Sequence, residues 1–380
     1  MKTIKYFLFI VFFVSFFSCN SKSEKEYFYL KPMEEISFIL DKNTKSNILA
    51  LFPYTDKSGK EYLTFQNQGQ NEILFYDMNT HSLEFKLKPS YEGNNGVASF
   101  LGYYIHNLDS IYLTIAGLEE LALINSDAVV NDKISYEKTW DDINLYSFYS
   151  ASFQYRPIVI IDNLLYITPG CNRWVEPKPV CATIDMANGT VNAFKTFEYP
   201  TFPNADNKAK RASIEEYYSR CFDGKQFVYS FHFEEDIHIT SIDHKHVVKT
   251  KAKSKYIRKV KYPNDYGAVT YEDMCASPNY GNMLYDKYND VYYRVAYPKT
   301  EIEKGIRGME LWYYGRKKFS IIIFDKDFNI IGETLFPDYT YNSLVMFIRE
   351  DGLYISSSHY LNPEYSDDVL SFRRFDLVKK

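Results

Sequence analysis

The side chains of this 380-residue sequence that could do chemistry fall into a few stretches. Arg173 and Trp174 stand side by side. Arg307, Trp312, Tyr313, Tyr314 and Arg316 form a second group, and His359, Tyr360 and Tyr365 a third. Aromatic planes beside guanidinium forks can stack on sugar rings and grip carboxylates. These residues are therefore the expected contacts to a ligand, with a glycan or a peptide as the candidate. The competing reading is that the same aromatics pack long loops onto the body of the protein.

The histidines suggest a metal at first sight. Four of the seven lie between His232 and His246, beside Glu234, Glu235 and Asp236. Imidazole with carboxylate can bind zinc. Yet His232 and His238 would flank one hairpin turn, and His244 and His246 the next, on the opposite face. A solvated hairpin without metal is expected. The adjacent acids Asp141–Asp142 and Asp367–Asp368 could serve acid–base chemistry, although neighbouring acids on a turn are ordinarily just solvated. There is no G-x-S-x-G elbow, phosphate loop or dinucleotide fingerprint. No catalytic residue and no cofactor is assigned, so binding leads. An interaction scaffold for an envelope protein comes next, and a propeller hydrolase or lyase last.

Of the five cysteines, Cys19 stands apart. Lys2 and Lys5 precede an apolar run from Tyr6 to Phe17, which ends at Ser18-Cys19. About 20 apolar residues are needed to cross a bilayer. This run is too short, and with its basic flank it reads as the core of a signal peptide. A small residue directly before a cysteine looks like a lipobox. Residues 1–18 are then the signal peptide, Cys19 is the lipidated residue, and 19–34 is a tether leading to a body at 35–380. The expected location is the cell envelope, lipid-anchored at the outer membrane, with the leaflet left open. Cys171, Cys181, Cys221 and Cys275 remain. Four cysteines allow three pairings, and Cys171–Cys181 is favoured because one hairpin could join them. The net charge of −5 argues against a nucleic-acid partner, which needs a basic patch.

The elements that must position these residues are strands. Aromatics make up 18% of the chain, with 36 Tyr and 29 Phe, a composition that favours β structure. An alternating strand ending in Asp or Asn recurs as Ile73–Asp77, Leu121–Asn125, Cys181–Asp185, Ile239–Asp243, Ile321–Asp325 and Phe372–Asp376. Asp and Asn suit a strand end because their side chains bond the backbone two residues on. Before each copy lies a strand with Tyr or Phe: Glu61–Phe65, Ser110–Leu113, Leu164–Ile167, Gln226–Tyr229, Val291–Tyr293 and Leu353–Ile355. These begin 49 to 65 residues apart. Four antiparallel strands per repeat, arranged radially, make a propeller blade. The sixth repeat runs out of chain after three strands, and Glu35–Leu40 can complete it as the outer strand. The expected fold is an all-β, six-bladed β-propeller closed by that N-terminal strand. A pair of β-sandwiches or a seven-bladed ring is the alternative, and Ala212–Cys221 could be a short helix.

On its lipobox, length and repeats, the chain resembles the six-bladed, TolB-like propeller lipoproteins, in particular a Gram-negative family known only as a domain of unknown function. That resemblance implies no activity and brings no catalytic residues. In a propeller the loops between second and third strands share one face with the blade-joining loops. Here Gln66–Gln70 and Ala116–Glu119 are short. Thr168–Val180, Tyr297–Lys318 and Ser357–Asp368 are long, as is the joining stretch Tyr199–Arg211. Long insertions on one face of a repeat protein mark its binding face.

Overall fold

The turn residues decide where the strands stop, and apolar alternation decides which faces they bury. The computed structural model describes residues 27–46, 48–146, 152–170, 178–199, 218–260 and 270–380. Strand β1 is Phe28–Ile39. The first sheet is β2–β5, at Leu51–Thr55, Glu61–Asn67, Glu72–Asp77 and Leu83–Leu87. The second is β6–β9, at Phe100–Asn107, Ser110–Ile115, Glu120–Ile124 and Val130–Ser135. Next come β10–β13, at Val159–Ile161, Leu164–Ile167, Ala182–Asp185 and Val191–Ala193, and β14–β17, at Tyr218–Phe222, Gln226–Phe231, Asp236–Ser241 and Val247–Lys251. Strands β18–β21 (Asn279–Asp286, Val291–Tyr297, Ser320–Phe324, Ile330–Leu335) and β22–β24 (Asn342–Arg349, Gly352–Ser356, Val369–Lys379) join β1 in an eight-stranded sheet. Two short helices, α1 (Tyr271–Ala276) and α2 (Gly308–Tyr314), lie in the connections before β18 and before β20.

The eight-stranded sheet has a seam. β1 meets β21 in parallel through one residue pair, Phe28 with Gly332. Against β24 it pairs antiparallel from Phe28–Lys379 to Ile39–Val369. Each half is thus a four-stranded antiparallel unit, and β1 supplies the fourth strand of the second half. β1 is longer than Glu35–Leu40. Residues 28–34, expected as tether, are strand because Leu30 is buried in the same core as Ile323 and Phe375. A register shift between Pro32 and Glu35 absorbs the proline.

Each repeat motif finds its place. The aromatic strands are β3, β7, β11, β15, β19 and β23, and the Asp-ended strands pair directly beside them. The turn chemistry acts as the residue types imply. Oδ1 of Asp77 accepts from Asn79 N at 2.7 Å, that of Asn125 from Asp127 N at 3.0 Å, and that of Asp185 from Ala187 N at 2.8 Å. Asp243 and Asp325 do the same with Lys245 N and Asp327 N. In the sixth copy Asp376 lies inside β24 and faces Arg374. Of the stretch Ala212–Cys221 that could have been helical, residues 218–221 are strand, part of β14, while residues 212–217 lie outside the described residues.

The core is a series of apolar clusters, each shared by successive units. One lies between β2–β5 and β6–β9 and holds both Phe75 and Leu113. The last joins Phe38, Leu370 and Phe372 to Leu63, Leu74 and Tyr76, so the final unit packs on the first and the series closes. Phe38 and Tyr76 meet edge to face at 5.7 Å. Burying one such ring contributes roughly 1.5–3 kcal/mol. The fold is all-β and propeller-like. No helix among the described residues is long and apolar enough to cross a membrane.

Candidate functional site

Residues at the start of several sheets converge on one cavity of about 230 Å³. Leu49 leads into β2, Leu101 lies in β6, Phe153 and Tyr155 precede β10, Gly281 and Asn282 lie in β18, and Leu344 in β22. Gln154 ties these starts together. Its amide donates to Leu344 O at 2.7 Å and its oxygen accepts from Leu51 N at 3.4 Å. Tyr155 O accepts from Arg220 N and from Ser219 Oγ, both at 2.8 Å, while Met283 N donates to Ser219 Oγ at 2.7 Å. Strands with few same-sheet partners at this end satisfy their backbone through neighbouring units.

The β19–β20 connection forms the cavity's other wall. Its expected long loop contains α2, whose close approach to α1 depends on Gly308: a Cβ there would stand 2.3 Å from Glu272 N. Helix α1 starts in a capping box, in which Thr270 Oγ1 accepts from Asp273 N and Asp273 Oδ2 accepts from Thr270 N. The α1–α2 pair buries Leu311 and Trp312 with Phe233, Met274 and Cys275. Trp312 is only 7% exposed, so it is a packing residue and a cavity wall at once. The Arg316 guanidinium lies between two rings, 4.3 Å from that of Trp312 and 4.7 Å from that of Tyr297. Tyr297 in turn sits on Gly281, where any Cβ would fall 2.7 Å from its ring.

The cavity's polar groups are cationic or neutral. Arg156 stacks over Tyr155 and Tyr218 at 5.7 and 5.3 Å. His232 is held well below the usual histidine range, first by burial and then by Arg316, Arg156 and Arg294. It is therefore uncharged at neutral pH. No described residue lining the cavity is acidic. The arrangement can hold an apolar body and offer guanidinium donors to it.

The sequence-derived ligand contacts divide. Trp312, Tyr313 and Arg316 line the cavity. Tyr314, Tyr360 and Tyr365 line a neighbouring, more polar pocket of about 240 Å³ with Glu310 and Asp367. Arg307 joins neither and pairs with Glu310 from the exposed start of α2. His359 is a structural residue: fully buried, it contacts Gly315 O through Nε2 at 3.0 Å and accepts from Leu361 N at 3.1 Å. Arg173 and Trp174 lie outside the described residues, as does Cys19. Sequence reasoning missed Arg156, Phe153, Gly281 and Leu344, and it placed His232 on a hairpin turn and not at this cavity. No periodic signal marks them, because the strand starts around the cavity are irregular.

Two expectations are corrected. Cys181 is a free, buried thiol that accepts from Arg220 Nη1 at 3.1 Å, so it carries no bridge to Cys171, which itself lies outside the described residues. Burial pushes the Cys181 thiol up, but His244 and Arg220 outweigh burial and hold it down. The histidine hairpin is not solvated. His244 is fully buried, stacked on Phe194 at 4.4 Å and bonded to Tyr229 Oη at 2.6 Å. His238, also buried, pairs with Glu234. Aromatic neighbours from the preceding sheet cover both rings. Among the described residues no three His, Cys, Asp or Glu side chains are grouped to hold a metal ion.

Asp141 and Asp142 are each paired with a lysine, Lys195 and Lys138. A crystal structure of a DUF4221 family member from Bacteroides vulgatus is similar over 94% of this chain and 100% of its own, at 22% identity with a TM-score of 0.78. A Bacteroides fragilis structure, of an exported-protein candidate, covers 92% and 96% at 10% identity and a TM-score of 0.54. Both likenesses show the fold alone. No curated protein matches the chain. A family model, described as Domain of unknown function (DUF4221), matches residues 23–335. With the match extending over most of its length, the chain belongs to the DUF4221 family.

Proposed function

We propose that the chain is an exported, lipid-anchored ligand-binding protein, whose six four-stranded units form a TolB-like propeller ring around the cavity. The observation that carries the binding role is the cavity itself. Residues from several sheets wall it with Leu49, Leu101, Phe153 and Leu344, and Trp312 and Arg316 close one side. A well-formed apolar pocket with a few convergent polar groups is what a small ligand requires. The neighbouring pocket, with three tyrosines beside Glu310 and Asp367, suits the hydroxyls of a glycan or the backbone of a peptide that extends from the cavity.

Calorimetric titration of the full chain against peptide and glycan panels tests the role. Leu101→Trp, which fills the cavity, should abolish binding while leaving the melting curve close to the parent's. Unchanged affinity in that variant places the ligand elsewhere and removes the reading. Anchoring at Cys19 is tested separately. Cys19→Ala should stop incorporation of a labelled fatty acid and leave unprocessed precursor, and continued labelling would refute the anchor.

A further inference from the structure

Two arginines of this protein, both buried, use their donors very differently. Arg294 spends its whole fork on the chain. Nε donates to Ser230 Oγ at 2.9 Å, Nη1 to Glu235 O and Ala252 O at 2.7 and 3.0 Å, and Nη2 to Glu234 O at 2.7 Å. Arg316 is just as inaccessible, at 3% exposure, yet makes one hydrogen bond, from Nη1 to Met274 O at 3.0 Å. Its Nε is buried with no hydrogen-bond partner, and no carboxylate among the described residues pairs with it. A guanidinium carries five donors in a rigid fork. The edge formed by Nε and Nη2 is the one a carboxylate engages with two parallel bonds.

The surroundings add to this. Trp312 and Tyr297 clamp the guanidinium plane from the sides, so its free edge is pre-oriented. Arg156 brings a second guanidinium to the same cavity, and no described residue lining it is acidic. Buried charge without a counter-charge is costly, and an incoming anion relieves that cost. The protein as a whole carries a charge of −5, so this is a local positive site and not a general polyanion surface. The remaining walls, Leu49, Leu101, Phe153 and Leu344, are apolar. A 150 Å³ apolar cavity accommodates benzene, so about 230 Å³ has room for one ring with a short linker.

We infer that the cavity takes a carboxylate on a compact apolar body, its two oxygens on the Nε–Nη2 edge of Arg316 and its body against the leucines and Phe153. This deepens the ligand-binding reading above and rests on it. A free aryl-alkanoic acid and the C-terminal carboxylate of a peptide ending in an aromatic residue share this chemistry.

Calorimetry on the full chain with 3-phenylpropionate and 3-phenylpropanamide tests the charge requirement. The acid should bind at least about tenfold more tightly than the amide, since a hydrogen bond to a charged group is worth on the order of 10–100-fold. Arg316→Gln should weaken the acid by a similar factor and leave the amide nearly unchanged. Arg316→Lys, which keeps the charge but not the two-donor edge, should fall between. Equal binding of acid and amide to the parent overturns the inference without any variant having to fold. Unchanged acid affinity in Arg316→Gln overturns it too. Gly-Gly-Phe against Gly-Gly-Phe-amide then separates the two sources. A peptide acid that binds more tightly than 3-phenylpropionate identifies a chain terminus, and the reverse identifies a free acid. If neutral peptides or glycans bind and Leu101→Trp abolishes them while no acid binds, the charge inference falls and the cavity reading stands. If nothing binds, both fall.

Discussion

The side-chain amide of Gln154 donates to the carbonyl of Leu344 at 2.7 Å, joining positions 190 residues apart in sequence. Through its other end, Gln154 accepts from Leu51 N. One side chain therefore links the start of the third sheet to the last unit and the first. Gln154→Leu keeps the approximate volume but leaves both backbone groups without their partner. We expect a loss of about 1–3 kcal/mol, the cost of an unsatisfied buried group, read as a lower urea midpoint at unchanged slope. A midpoint equal to the parent's would mean that the contact contributes nothing to closure.

Arg294 and Arg316 should separate stability from binding. Arg294 closes the β15–β16 turn by bonding the carbonyls of Glu234 and Glu235, and it lies 3.7 Å from the Tyr280 ring. Arg294→Gln strands several of these acceptors at once and should cost on the order of 3 kcal/mol or more. Arg316→Gln gives up a single hydrogen bond and should cost about 1 kcal/mol. Denaturant unfolding of the two variants side by side checks the contrast, and equal losses would contradict it.

Strand β1 lies inside the eight-stranded sheet, where it covers the edge that β24 would otherwise present. It pairs with β24 along its length and places Phe38 in the cluster that joins the last unit to the first. A chain starting at Asp41 exposes the β24 edge, which invites pairing between copies. We expect aggregation or a melting temperature well below the parent's, by size-exclusion chromatography and thermal melts. A monodisperse truncated chain with the parent's melting curve would overturn the role given to β1.

Stability should fall on mild acidification. Burial lowers His359 to about 4, against the opposing effect of its bonds to the Gly315 and Arg316 backbone. His232 is lowered in the same direction. Both folded values lie below the unfolded one near 6.5, so the stabilisation is complete above that pH. As pH falls through 6.5 the unfolded chain takes up protons that the folded chain refuses, and stability declines until the folded groups titrate. For His359 the loss approaches about 3 kcal/mol by pH 4. Unfolding free energies at pH 7.5 and 5 should show it, with a shallower decline in His359→Gln. A flat profile between these values would contradict the burial of both rings.

The sequence by itself determined the strands and their turns. Ile73–Tyr76 is a run of apolar and aromatic side chains that favour strand, and Asp77 carries the hydrogen-bonding group that ends it. Both are local properties, so they are legible residue by residue. The fourth strand of the last unit was legible as well, from a strand count that left Glu35–Leu40 over. Only the tertiary structure decided the site. Arg156, His232, Gly281 and Leu344 lie far apart in sequence and share no period. They meet because the sheet starts converge on one volume. The sequence placed Arg316 and His359 in one functional group, yet packing made His359 a buried brace and left the Arg316 fork open. Burial and hydrogen-bond accounting depend on neighbours from other sheets, and no local pattern encodes them. The histidine hairpin shows the same limit: Phe194 and Phe197, from the connection that follows β13, cover His244 and turn a hairpin expected to be solvated into core.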